Sequence, residues 1–428
     1  MKNLLFLPIV FCWYSYGLGQ TAKDFYEAGK EKHRQQDYSG AISDYTKAID
    51  IDNNFSAAYE SRASCRGLLA DTIGAIADVS MAIKVENSDS AKAELYIHRG
   101  FWKEKSGDYL GAIYDYGQAI KHYPTGNGYF SRGKAKQILG DNRGAILDLD
   151  EDIKISPQSF SAYHFRGAAK LALGDNKGAE TDFTVSLETN FVYYNSAGNF
   201  PPIRWSDYYA AESYRQRALA RTRLGNTDGA LSDYDKAIEL DSQNWAAFFS
   251  RGLLKFVSWE DSYGALSDFS KSIEINGGIP DAFYFRGMVR NILRDFNGAL
   301  SDLSVAIRLD SKNASYYIER GEVKVELFDY RGAIVDYSSA IGLDPNSPLS
   351  HYGRGAAKFF LSDFRGALSD INTALAFKKE FSEKSKAYFV RGVCKINLGQ
   401  LDGGCLDLSK SGELGFGDAY NLIREHCN

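Results

Sequence analysis

The chain has 428 residues, 44% hydrophobic, 25% charged and 14% aromatic, with a formal net charge of −5. That aromatic content excludes a disordered chain, and the slight negative charge gives no electrostatic basis for holding nucleic acid or an anionic membrane surface. A globular chain of this length would hold two or three domains, a count that an array of repeats escapes because each unit touches only its neighbours.

Residues 1–19 read as a signal peptide. Lys2 supplies the positive start, Leu4 to Tyr14 a short apolar run, and Gly17 and Gly19 the small residues before a cut after Gly19. Export across the inner membrane, to the periplasm or the exterior, is the expectation. Loss of Lys2 takes the charge from −5 to −5 − 1 = −6. A lipid on Cys12 ranks second, because the preceding Phe11 is large where a lipobox takes a small residue. No later stretch is long and apolar enough to span a bilayer.

From Gln20 onward the sequence repeats itself. Gly-Ala recurs with its alanine at Ala41, Ala75, Ala112, Ala145, Ala179, Ala230, Ala265, Ala299, Ala333 and Ala367, and a degenerate eleventh copy is Gly403-Gly404. The spacing is 34 residues in five of the ten intervals, 33 to 37 in four more, and 51 once. With that alanine as position 20, position 8 is small (Gly29, Ala63, Gly100, Gly133) and position 4 is mostly aromatic (Phe25, Tyr59, Tyr96, Tyr129, Tyr163, Tyr214). Positions 4, 8 and 11 fall on one face of a first helix, and positions 20, 24 and 27 on one face of a second. Small residues at 8 and 20 let the two backbones cross closely. Asp at position 16, as in Asp37, Asp71 and Asp329, suits the N-cap of the second helix.

This pattern over residues 22 to about 418 resembles the tetratricopeptide repeat family. The resemblance implies an all-α fold, a right-handed α-α superhelix of about eleven helix-turn-helix repeats. Repeats one to five would occupy 22–189 and repeats six to eleven 210–411. A capping helix in 412–428 would cover the last repeat with Ala419, Tyr420, Leu422 and Ile423.

One pattern departs from the family. Position 7 is Arg in ten of eleven repeats (Arg62 to Arg391), position 11 is basic in all (Lys32 to Lys395), and position 23 is Asp in all (Asp44 to Asp407). Positions 7 and 11 share a helix face. The expectation is an internal ladder of ion pairs, because a basic stripe for a polyanion would be neutralised from within by the aspartates.

The long interval holds an insertion at 190–209, with seven aromatics in twenty residues and with Pro201 and Pro202 breaking any continuous helix. It is expected as an ordered loop packed through Tyr193, Tyr194 and Trp205, and a contact with a partner or a glycan is the sharper alternative. Three of the four remaining cysteines, Cys394, Cys405 and Cys427, lie in the last 35 residues. One disulfide there and small buried thiols are alternatives of equal standing.

The sequence offers no catalytic residues, no metal site and no cofactor. His33, His98, His122, His164, His351 and His426 are scattered without ligand spacing, and neither a nucleophile elbow nor a phosphate loop is present. What the resemblance implies is a non-catalytic scaffold of the cell envelope that binds a protein or peptide. In the family the first helices line a concave groove. Read onto this chain, that groove holds Tyr26, Ile97, Phe130, Phe249, Leu253, Tyr284, Met288, Ile318, Tyr352 and Phe359. Phe360 and Phe389 are expected to pack within the wall. An envelope protein that binds carbohydrate through groove and insertion aromatics is the alternative.

Overall fold

The computed structural model describes residues 20–196, 204–258, 261–377 and 381–427, apart from the side chains of 190–207. The proposed signal peptide lies outside the described residues. Those described form twenty-three α-helices and no strand. The chain divides between Tyr209 and Ala210 into two compact units, inside helix Arg204–Arg223. The first unit holds repeats one to five, and the second holds repeats six to eleven and the terminal helix.

Repeat nine shows why these residues make a helical pair. Its first helix is Ala314–Glu326, capped by Asn313, whose side chain accepts from the Ser315 backbone N–H. Phe328 takes a left-handed φ of 59°, and the Phe328 and Asp329 N–H groups donate back to the carbonyls of Val325 and Lys324. The chain thereby reverses into the second helix, Tyr330–Leu343, where the Asp329 side chain accepts from the Gly332 N–H at 2.9 Å. A Cβ on Gly332 would stand 2.0 Å from that carboxylate, so the cap itself demands the glycine of each Gly-Ala pair. Gly321 lies against the ring of Tyr337, which is where the two helices cross. Ala333, Asp336, Tyr337 and Ala340 are the buried face of the second helix.

In each unit the pairs stack in chain order, second helix against the next first helix. First helices of neighbouring repeats also touch, as Ala314–Glu326 touches Pro348–Phe360, which sets them on the tighter side of each stack. Exposed large apolar residues are more frequent on second helices than on first ones, Ile73 (83% exposed) and Leu110 (74%) among them.

The ion-pair ladder is present and complete. In repeat nine, Arg320 Nε and Nη2 donate to the two oxygens of Asp336 at 2.9 and 2.6 Å, and Lys324 Nζ lies 2.7 Å from the same carboxylate. All eleven position-23 aspartates are paired. In repeat one, where Ala28 replaces the arginine, Lys32 and Lys47 pair with Asp44 at 2.6 and 3.2 Å. Burial works to raise Asp370, but the bonds from Arg354 and Lys358 hold its carboxyl below the usual range. The guanidinium also covers the aromatic of position 4, with Arg320 Cζ 5.8 Å from the Tyr317 ring centroid. Its third nitrogen reaches the preceding repeat. Arg62 Nη1 donates to Thr46, Arg99 to Ser80, Arg320 to Ser304 and Arg354 to Ser338, at 3.0 to 3.3 Å. One side chain thus joins three helices, and the ladder fastens the repeats to one another as well as each pair to itself.

The segment expected as an aromatic loop is helical at both ends, since one helix runs Asn176–Ser196 and the next starts at Arg204. Pro201 and Pro202 and the side chains of Tyr193, Tyr194 and Trp205 lie outside the described residues. Tyr209 is described, and its ring packs against Phe160, His164 and Phe165. The terminal helix Ala419–His426 rests on the last repeat, tied to it by a Cys405–Cys427 disulfide with Cα atoms 5.7 Å apart. Cys65 and Cys394 are buried free thiols.

Candidate functional site

The ten groove residues named from the sequence all lie on first helices, and all are half-buried. Tyr26 packs on Tyr45 and Phe55, Phe130 on Phe165, and Phe249 on Phe269 and Phe285. Leu253 and Met288 close the core around Phe269. Ile97 packs beside Tyr116, Ile318 beside Tyr337, and Phe359 against Phe364. Most of their apolar surface is therefore spent within the stack. Phe389 packs as expected, 4.9 Å from Phe416 between ring centroids. Phe360 does not: it is 53% exposed, stacked on Tyr330 at the last residue of its helix.

Phe360 instead borders a cavity of about 620 Å³ within the second unit. Its walls come from four consecutive repeats: the end of helix Pro280–Ile292, the first helices of repeats nine and ten, and the start of helix Lys384–Asn397. Tyr352 and Val325 line it, with Tyr337 at its base. Gly353 makes the room for that tyrosine, since a Cβ there would lie 2.5 Å from the Tyr337 ring.

The charged residues of this cavity were not foreseen. Glu322 lines it, and Glu319 stands one turn away on the same helix, Ala314–Glu326. Burial, then the carboxylate of Glu322, pushes the Glu319 carboxyl well above the ordinary carboxylate range. Burial, then Glu383, pushes Glu322 up as well, against the opposing pull of Lys386. Neither acid has an ion-pair or hydrogen-bond partner among the described residues. Burial and then Glu319 and Glu322 raise the phenol of Tyr284, and burial, Glu383 and Glu322 raise that of Tyr352. The structure thus sets two of the named aromatics beside two acids. The sequence did carry a signal: Glu322 is the sole acid at position 9 in eleven repeats, a position that faces the groove in the family.

The described residues contain no group of three or more potential metal ligands and no helix long and apolar enough to cross a membrane. Residues 211–244 match the tetratricopeptide repeat family. The match is one repeat long, and the period and columns of the sequence continue the same pattern through the other copies. Among solved structures it is similar to a tetratricopeptide repeat protein from Parabacteroides merdae, at 18% identity and a TM-score of 0.44 over 63% of this chain and 100% of that one. It is also similar to yeast Tom70, at 16% identity and a TM-score of 0.38 over 94% and 93%. The APC/C hetero-tetramer Cut9–Hcn1 gives 14% and 0.43 over 94% and 89%. No curated protein matches the chain.

Proposed function

We propose that the chain is a non-catalytic scaffold of the cell envelope that binds a protein or peptide on the first-helix side of its second unit. Repeat arrays of this kind offer extended surfaces rather than reaction centres. The observation that carries the reading is the cavity walled by repeats eight to eleven, where Tyr352 and the exposed Phe360 flank a space the size of a ligand pocket. The Cys405–Cys427 disulfide supports export, since such bonds persist in oxidising compartments. No observation favours the carbohydrate reading.

Crosslinking in the native cell followed by mass spectrometry names the partner. The Tyr284→Ala/Tyr352→Ala double variant should then lose that partner while keeping its helical content. Capture that survives both changes would move the site elsewhere. Export is checked separately by the mature N-terminus, expected at Gln20; a lipid on Cys12 would contradict a soluble form.

A further inference from the structure

The cavity carries acid that its own cations leave unanswered. Lys386 is engaged with Glu383, its Nζ 2.7 Å from that carboxylate, and Arg294 lies at the exposed rim. Glu322 lines the cavity and Glu319 stands one turn back on the same helix; they repel each other, and neither forms an ion pair among the described residues, Lys386 acting on Glu322 only from beyond contact. Most buried acids elsewhere in this chain are not left so; the exception is Asp152, 3% exposed, which accepts from the Ser159 hydroxyl and has no cation among the described residues. Every ladder aspartate has its base, Glu60 in the first unit has His98 at 2.6 Å, and Glu104 has Lys134 at 2.7 Å.

A second, independent feature is Tyr337. It is only 3% exposed, it lines the cavity, and its hydroxyl takes no hydrogen-bond partner among the described residues. A phenol whose hydroxyl opens on a cavity beside two carboxylates is placed to accept from a donor that enters it. Part of the wall is aromatic and aliphatic, from Tyr352, Val325 and Phe360. An acidic side beside aromatic and aliphatic side chains fits a charged head on a hydrocarbon stem.

We propose that the cavity takes the side chain of a lysine or arginine from the bound partner, with its cationic head between Glu319, Glu322 and the Tyr337 hydroxyl and its stem along Tyr352. An anionic segment is disfavoured by the same carboxylates. The partner segment therefore presents a basic residue flanked by apolar ones, the opposite of a ligand held by its C-terminal carboxylate. This inference rests on the reading of the first-helix side as the partner surface, and deepens it.

The test is selection of a random displayed peptide library on the immobilised full chain at neutral pH. Selected peptides should share a lysine or arginine beside aromatic or aliphatic residues. A synthetic copy of one should bind the Glu319→Gln/Glu322→Gln variant about tenfold more weakly or worse, as loss of a charge-assisted contact implies. Its lysine-to-norleucine analogue should bind the natural chain and the variant alike. Selected peptides without a basic residue, or equal affinity for the natural chain and the variant, would overturn the inference. Peptides that are lost on Tyr284→Ala/Tyr352→Ala yet ignore the glutamate changes would keep the proposed function and remove only the inference. Failure to select any peptide would remove both. Should the glutamine variant melt early, the norleucine comparison on the natural chain still decides.

Discussion

Repeat nine holds a buried acid on its second helix and two half-buried acids on its first. On the second helix Asp336 is 1% exposed and meets Arg320 and Lys324. On the first helix Glu319 and Glu322 are half-buried and form no ion pair among the described residues. The two sets differ in partner, and that separates scaffold from site. A paired acid recurs in every repeat because each copy needs the same fastening. Glu319 and Glu322 break that pattern beside the cavity. A buried ion pair adds little net stability, since desolvation offsets attraction, but removing one member is costly.

The largest effect should therefore come from the paired set. Asp336→Ala strands Arg320 and Lys324 and should destabilise the chain by roughly 3–5 kcal/mol. The matching change at Glu319, to Gln, should cost nothing at neutral pH. Chemical denaturation of the two variants makes the comparison, and equal losses would erase the distinction.

Next in size is the disulfide. Closing a span of 22 residues, it should contribute roughly 3 kcal/mol to the last repeat and its cap. In Cys405→Ser/Cys427→Ser, hydrogen exchange should quicken in helices Leu401–Glu413 and Ala419–His426, and repeats eight to ten should be unchanged.

The cap is smaller again. Gly332→Ala drives a Cβ into the Asp329 carboxylate and should cost about 1 kcal/mol, the value of a lost N-cap. Asp329→Ala should cost about as much, and the two losses should not add, because both remove the same bond.

The pH response sharpens the contrast further. In the folded chain Glu319 and Glu322 hold protons above the ordinary carboxylate range, while the unfolded chain gives them up within it. Their contribution is complete below that range and is lost as pH rises through the raised folded values. The charges facing them are Glu326, Glu383 and Lys386, with the phenols of Tyr284, Tyr337 and Tyr352 around them. The melting temperature of the natural chain should fall between mildly acidic and mildly alkaline pH by more than that of Glu319→Gln/Glu322→Gln. Parallel curves would mean that the two acids are already ionised.

How much of this was legible in the sequence depended on repetition. Gly-Ala, the position-16 cap and the Arg–Lys–Asp columns recur, so one look at the pattern gives both the helix pair and the ion pairs. The reach of each arginine to Thr46, Ser80 or Ser338 of the preceding repeat was written there too, as a column of small polar residues at position 25, but it needed the stack to show which nitrogen faced it. The groove was harder. An apolar residue at position 5 cannot report from sequence whether it faces solvent or the next helix, and Tyr26, Phe130 and Phe249 spend their rings on neighbouring rings. Glu322 could have been found as a break in its column. Glu319 could not, since position 6 already carries Glu27 in repeat one, and only the packing of Tyr284, Tyr337 and Tyr352 around it distinguishes the two.

The division between paired and unpaired acids is tested most directly by following carboxyl carbons through a pH titration, with carbon-labelled Asp and Glu and single Gln and Asn variants to assign Glu319, Glu322 and Asp370. The account predicts that Glu319 and Glu322 titrate above the ordinary carboxylate range and that Asp370, bonded to Arg354 and Lys358, titrates below it. Glutamates that titrate with the exposed carboxylates, or an Asp370 that titrates with them, would contradict it.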